Sequence, residues 1–89
     1  MAWKLELSPE AKRDLAGIDK TIAIRILRFL TERAAEAENP RLLAIPLQGP
    51  SNRGLWRFRI GDYRAIARIQ NEVMTILVVE IGHRREVYR

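Results

Sequence analysis

Residues 55–70 read LWRFRIGDYRAIARIQ and place arginines at positions 57, 59, 64 and 68. Gly61-Asp62 is a two-residue turn signal between two runs rich in β-formers, and such a turn fixes the pairing that follows it. Ile60 then faces Tyr63, Arg59 faces Arg64, Phe58 faces Ala65, Arg57 faces Ile66, Trp56 faces Ala67 and Leu55 faces Arg68. Directly opposed residues share a face, so Trp56, Phe58, Ile60, Tyr63, Ala65 and Ala67 form one apolar wall. Arg57, Arg59, Arg64 and Arg68 surround Ile66 on the other side. A guanidinium is a permanent cation and a planar two-pronged donor, well matched to phosphate. Opposing Arg59 to Arg64 costs about 0.2–1 kcal/mol of repulsion, which a bound phosphate would neutralise. The alternative is that these side chains splay into water or meet Glu72 or Glu80.

The final stretch, IGHRREVYR, adds the single histidine of the chain, His83, with Arg84, Arg85, Arg89 and Tyr88. If the last strand lies beside the hairpin, its end brings His83, Arg84 and Tyr88 to the rim of the arginine face. The bland reading of a polar run after an apolar strand is an exit loop.

Several elements must position these residues. Residues 3–7 alternate apolar and charged, a half-buried strand with Trp3, Leu5 and Leu7 inward. Ser8-Pro9 starts a helix, with serine as cap and proline at the first position, where no donor is required. Gly17-Ile18-Asp19 breaks it. A second helix, capped by Asp19 or Thr21, turns Ile22, Ile26, Phe29, Leu30 and Ala34 to one side, and Asn39-Pro40 ends it. An antiparallel helix pair is therefore expected between residues 9 and 38. Residues 40–54, PRLLAIPLQGPSNRG, read as a loop tied down by Leu43, Ile45 or Leu47. Three β runs follow, at 55–60, 63–70 and 73–81, with turns at Gly61-Asp62 and Asn71-Glu72. The last run is apolar on both faces, as a covered central strand would be. The expected fold is α+β: an N-terminal strand at the sheet margin, then the helix pair, then a three-stranded antiparallel meander with the helices packed on one face.

The 89 residues make one domain, 1–89, with 47% hydrophobic and 30% charged residues, outside the composition of disordered chains. The first ten residues, MAWKLELSPE, lack the form of a signal peptide, and no apolar run approaches the roughly 20 residues of a membrane helix. Without cysteine the chain has no disulfide or thiolate metal site, and a reducing cytoplasm is expected. Asp14, Asp19 and Asp62 sit among caps and turns without ligand spacing, so neither metal nor other cofactor is expected. The net charge of +5 is uneven: residues 1–45 hold eight cations and seven acids, whereas residues 46–89 hold eight arginines and four acids. A polyanionic partner or a simple need for dispersing charge both account for this.

The motif WRFRIGDYRAIARI, the hydrophobic strand after it and IGHRREVYR together resemble the RelE/ParE superfamily of toxins from type II toxin–antitoxin modules. The resemblance spans nearly the whole chain, including PLQG in the loop, and the basic tail closing on tyrosine is similar to the RelE branch. That branch implies a ribosome-dependent mRNA endoribonuclease, an mRNA interferase that stops translation. Carried over by position, Arg57, Arg59, Arg64, Arg84 and Tyr88 are the site residues, with Arg53, Arg68 and Arg85 as further RNA contacts. The best-known RelE enzymes have lysines where this chain has Arg57 and Arg59. Metal-free cleavage by a ribose 2′-OH needs a base, charge stabilisation on the phosphorane and an acid for the 5′-oxygen. Arginine suits the second role and, holding its proton near neutral pH, not the first. His83 then becomes a base candidate, with Tyr88 as an alternative base or a stacking platform for a nucleobase. For a lone histidine a purely structural role is the competing reading.

The resemblance also implies a cognate antitoxin that covers the arginines with acidic groups, and contact with operator DNA only through that antitoxin. The ParE branch implies a different activity, non-enzymatic poisoning of DNA gyrase, and an RNA-binding module without chemistry is a third reading.

Overall fold

A computed structural model describes residues 2–83. The candidates Arg84, Arg85 and Tyr88 lie outside the described residues. The chain forms β1 (Lys4–Leu7), α1 (Pro9–Ala16), α2 (Lys20–Arg28), β2 (Ala44–Pro46), β3 (Leu55–Ile60), β4 (Tyr63–Gln70) and β5 (Thr75–His83). The sheet order is β1-β5-β4-β3-β2, with β1 parallel to β5 and the other neighbours antiparallel.

Both helix starts follow from their capping residues. The Ser8 hydroxyl accepts from the Ala11 N–H at 3.0 Å, and Pro9 occupies the first turn. An Asp19 carboxylate oxygen accepts from the Thr21 N–H at 3.1 Å. The second helix continues beyond Arg28 as a π-helical turn over Phe29–Ala34, in which the Ala35 N–H reaches back to the Leu30 carbonyl. Its apolar stripe is the expected one: Ile26, Leu30 and Ala34 are fully buried. They pack with Ala11 against Phe58, Ala65, Ala67, Ile76 and Val78, so the helices cover one face of the sheet.

Three expectations about the strands need correction. The segment 40–54, read as a loop, contains β2 as a fifth strand, pairing Ala44 with Phe58, Ile45 with Arg57 and Pro46 with Trp56. It lies at the sheet edge, where a proline costs no ladder hydrogen bond. Arg41 holds this segment down, donating to the Ile69 carbonyl and the Asn71 side chain, both at 2.9 Å, with its guanidinium over the Trp56 ring. The turn after β4 takes Asn71–Val73 as a 3-10 turn closed by Met74 at φ 45°, instead of the two residues Asn71-Glu72. The last strand consequently starts at Thr75 and runs on to His83, shifted from the expected 73–81. The first strand lies at the sheet margin, as expected.

Candidate functional site

The β3–β4 hairpin has the register that its turn dictates, six pairs from Leu55–Arg68 to Ile60–Tyr63. Gly61 takes φ 61°, the left-handed value that a two-residue hairpin turn requires at this first central position. The apolar wall meets the helices, with Phe29 edge-on to Phe58 at a centroid distance of 6.2 Å.

The opposite face carries the arginines at graded depth. Arg64, in the middle of the sheet, retains 6% exposure; Arg57 is half-buried; Arg59 and Arg68 are exposed. The Nε atoms of Arg57 and Arg64 are both shielded from solvent. Ile66, at 3% exposure, lies between the two ends of this row. Arg59 opposes Arg64 directly and Arg57 is its diagonal neighbour, so these three form one group near the turn. Arg68 lies four residues further along β4, roughly 13 Å at strand rise. Its guanidinium comes close to Gly54, beside the exposed Arg53, and so marks a second basic end of the same face. Arg59 and Arg68 make no ion pair among the described residues. Low-dielectric surroundings strengthen the pull of Arg64 on an anion, while the exposed Arg59 and Arg68 are screened by water and salt.

His83 is not brought to this group. The β4–β5 ladder pairs Ile66 with Glu80 but Ala67 with Val78, leaving Val79 as an extra residue, a β-bulge. Because strand side chains alternate, one extra residue inverts the faces of everything beyond it. Ile81 and His83 therefore pair with Ala65 and Tyr63 on the helix side, and the His83 ring stands edge-on to Tyr63 at 5.4 Å. Glu80 and Gly82 take the arginine side, opposite Ile66 and Arg64. Glu80, considered from sequence only as a counter-ion, is the functional-face residue that sequence reasoning underrated; a bulge inside an apolar run leaves no signal for it.

Other features lie away from the arginines. A shallow cleft on the helix side is lined by Ile22, Arg25, Ile26, Ile60, Asp62 and Tyr63. Among the described residues no group of three or more His, Asp or Glu side chains is placed to hold a metal ion, and no helix is long and apolar enough to cross a membrane.

A sheet with two helices on one face and a basic hairpin on the other is the RelE-like toxin fold. The toxin–antitoxin complex RelBE2 from Mycobacterium tuberculosis contains a chain that superposes with a TM-score of 0.84 at 23% identity, covering 93% of this chain and 92% of that one. The isolated RelE toxin of E. coli gives 0.70 at 15% identity over 92% and 84% of the two chains. The archaeal RelE–RelB complex from Pyrococcus horikoshii gives 0.68 at 24% over 94% and 97%. No curated protein matches the chain in sequence. Residues 5–88 match the family described as the ParE toxin of the type II toxin–antitoxin system parDE. The chain belongs to this family and is a toxin of a type II toxin–antitoxin system within the RelE/ParE superfamily.

Proposed function

We propose that this toxin is an endoribonuclease that cuts messenger RNA held in the ribosomal A site, with Arg57, Arg59 and Arg64 gripping the scissile phosphate. The grouping of these three arginines at adjacent ladder positions on one face, with Arg64 buried at its centre, carries the reading. In the reaction a base removes the ribose 2′-OH proton. The 2′-oxygen bonds to the adjacent phosphorus, and the bond from phosphorus to the 5′-oxygen breaks. The 5′-oxygen takes up a proton, and a 2′,3′-cyclic phosphate remains on the other fragment. The guanidinium groups hold the non-bridging oxygens and stabilise the extra charge of the phosphorane without reorganising. Because the His83 ring stands edge-on to Tyr63 on the helix side, the base role passes from His83 to Tyr88, and Arg84 joins the phosphate grip; both assignments come from the resemblance to RelE toxins. Arg53, Arg68 and Arg85 hold flanking RNA.

In the same proposal the toxin works in the cytoplasm and is held inactive by a cognate antitoxin. RelBE2 is a toxin–antitoxin complex, and the archaeal relative is a RelE–RelB complex. Acidic antitoxin groups over the arginine face would compete directly with the phosphate.

A second reading, a non-enzymatic gyrase poison, is favoured by the family description itself, which names ParE. Primer extension on RNA from induced cells separates the two. New 5′ ends inside coding sequences support the nuclease; intact messages with cleaved DNA trapped on gyrase support the poison.

A further inference from the structure

We propose that Asp14, together with Ser8, is a positioning residue that locks β5 in its bulged phase and thereby decides which side chains border the arginines. The consequence for activity rests on the nuclease reading above; the consequence for the strand does not.

β5 outlasts its outer neighbour. β1 stops at Leu7 opposite Val78, and the last backbone bond between them runs from the Ser8 N–H to the Val78 carbonyl at 2.8 Å. Five residues of β5 remain, Val79 to His83, with no strand on that side among the described residues. An unpartnered strand edge would leave peptide groups without bonds. Two α1-associated side chains supply them. The Ser8 hydroxyl donates to the Val79 carbonyl at 3.0 Å, and an Asp14 carboxylate oxygen accepts from the Ile81 N–H at 2.9 Å.

These bonds exist in one phase of the strand only. The Met74 and Val78 carbonyls, which accept from the Lys4 and Ser8 N–H groups, show that even-numbered residues of β5 point toward β1 up to Val78. Regular alternation would next aim the peptide groups of Glu80 and Gly82 at α1. The bulge shifts the phase, and Val79 and Ile81 point there instead, where Ser8 and Asp14 receive them. Side chains follow the backbone. In the bulged phase Ile81 enters the core, His83 meets Tyr63, and Glu80 and Gly82 flank the arginine row. In the regular phase Glu80 would pair with Ala65 under the helices, Val79 and Ile81 would stand opposite Ile66 and Arg64, and His83 would fall beside the turn at Asp62.

Both partners are half-buried and fixed by α1, and the Ser8 hydroxyl is simultaneously the α1 cap. A carboxylate is a stronger acceptor for an amide than a neutral group, so Asp14 carries the larger share. Arg64 has Gly82 as its cross-strand neighbour on the β5 side, with no side chain beyond hydrogen there. The lock thus sets a glycine, and not the Ile81 side chain, opposite Arg64 on β5.

The test uses the full chain, made by cell-free synthesis with ¹⁵N labelling, together with growth inhibition on induction in bacteria. In Asp14→Ala the Ile81 amide should exchange at least about tenfold faster than in the parent, with loss of the Tyr63–His83 ring contact and weaker growth inhibition. Asp14→Asn should restore all three in large part, since its amide oxygen accepts the same bond, though more weakly than the carboxylate. If Asp14→Ala does not fold, Asp14→Glu, which displaces the carboxylate by one methylene, is read through the same amide. Unchanged Ile81 exchange and ring contact in the substituted protein overturn the lock. If Arg64→Ala abolishes growth inhibition while Asp14→Ala leaves it intact, the positioning role falls and the nuclease reading stands. If Asp14→Ala frees Ile81 and neither substitution alters growth inhibition, the lock stands and the nuclease reading falls.

Discussion

The two antiparallel ladders that meet on β4 are built on different terms. Between β3 and β4 the register starts from Gly61-Asp62 and runs unbroken through six pairs, so each arginine's face is set by local turn geometry. Between β4 and β5 the register slips at Ile66/Ala67, and side chains donated by the first helix hold the slipped strand. The first ladder is specified by residues within it; the second depends on Ser8 and Asp14, 67 or more residues away in sequence. In the proposed mechanism the side chains that grip phosphate therefore sit on the locally determined half, and the neighbouring half sets what stands beside them.

Substitutions can separate the two halves. Phe58, fully buried, is the central block of the wall shared by both ladders and the helices. Phe58→Ala should lower unfolding free energy by about 3–5 kcal/mol, read by thermal or urea unfolding, and should loosen both ladders together. Arg64→Ala removes the buried cation without cutting the wall. It should slow RNA cleavage by roughly 30- to 1000-fold, about 2–4 kcal/mol of transition-state stabilisation, while the unfolding midpoint stays near that of the parent. Arg64→Lys should fall between, since an ammonium keeps the charge and loses the two-pronged grip.

Gly61→Ala acts on the hairpin alone. An alanine at φ 61° carries a backbone cost of about 1–2 kcal/mol. Its Cβ would also stand 3.3 Å from Arg25 Nη1, a flexible tip that can move away. Unfolding measurements should show that loss, with the Tyr63–His83 contact of the other ladder preserved. The smallest effect is expected at His83: because its ring lies on the helix side, His83→Ala should leave cleavage within about threefold of the parent.

This asymmetry also explains what could be read from the chain beforehand. The hairpin pairs, both helix caps and the buried stripe Ile26, Leu30 and Ala34 follow from short-range rules, and the structure has all of them; the first strand is at the sheet margin as expected, through a long-range pairing with β5. β2 was hidden because its three residues sit in a stretch dense in Pro and Gly, and its pairing with β3 is long-range. The side taken by His83 was hidden for a different reason. Residues 73–81 are apolar on both faces, so no alternation marks where an extra residue enters, and the bonds that stabilise the bulge come from α1. The depth of Arg64, which separates it from Arg59 and Arg68, was likewise a property of the assembled sheet.

The central claim is that the arginines of the hairpin, and not the histidine at the end of β5, act on the RNA phosphate. Single-turnover cleavage of a message positioned in the A site of purified ribosomes, with the parent, Arg64→Ala and His83→Ala compared side by side, tests it most directly. The account predicts a rate loss of roughly 30-fold or more for Arg64→Ala and near-parental cleavage for His83→Ala. A severe loss on replacing His83 with Arg64→Ala near the parental rate, or no cleavage by the parent, would contradict it.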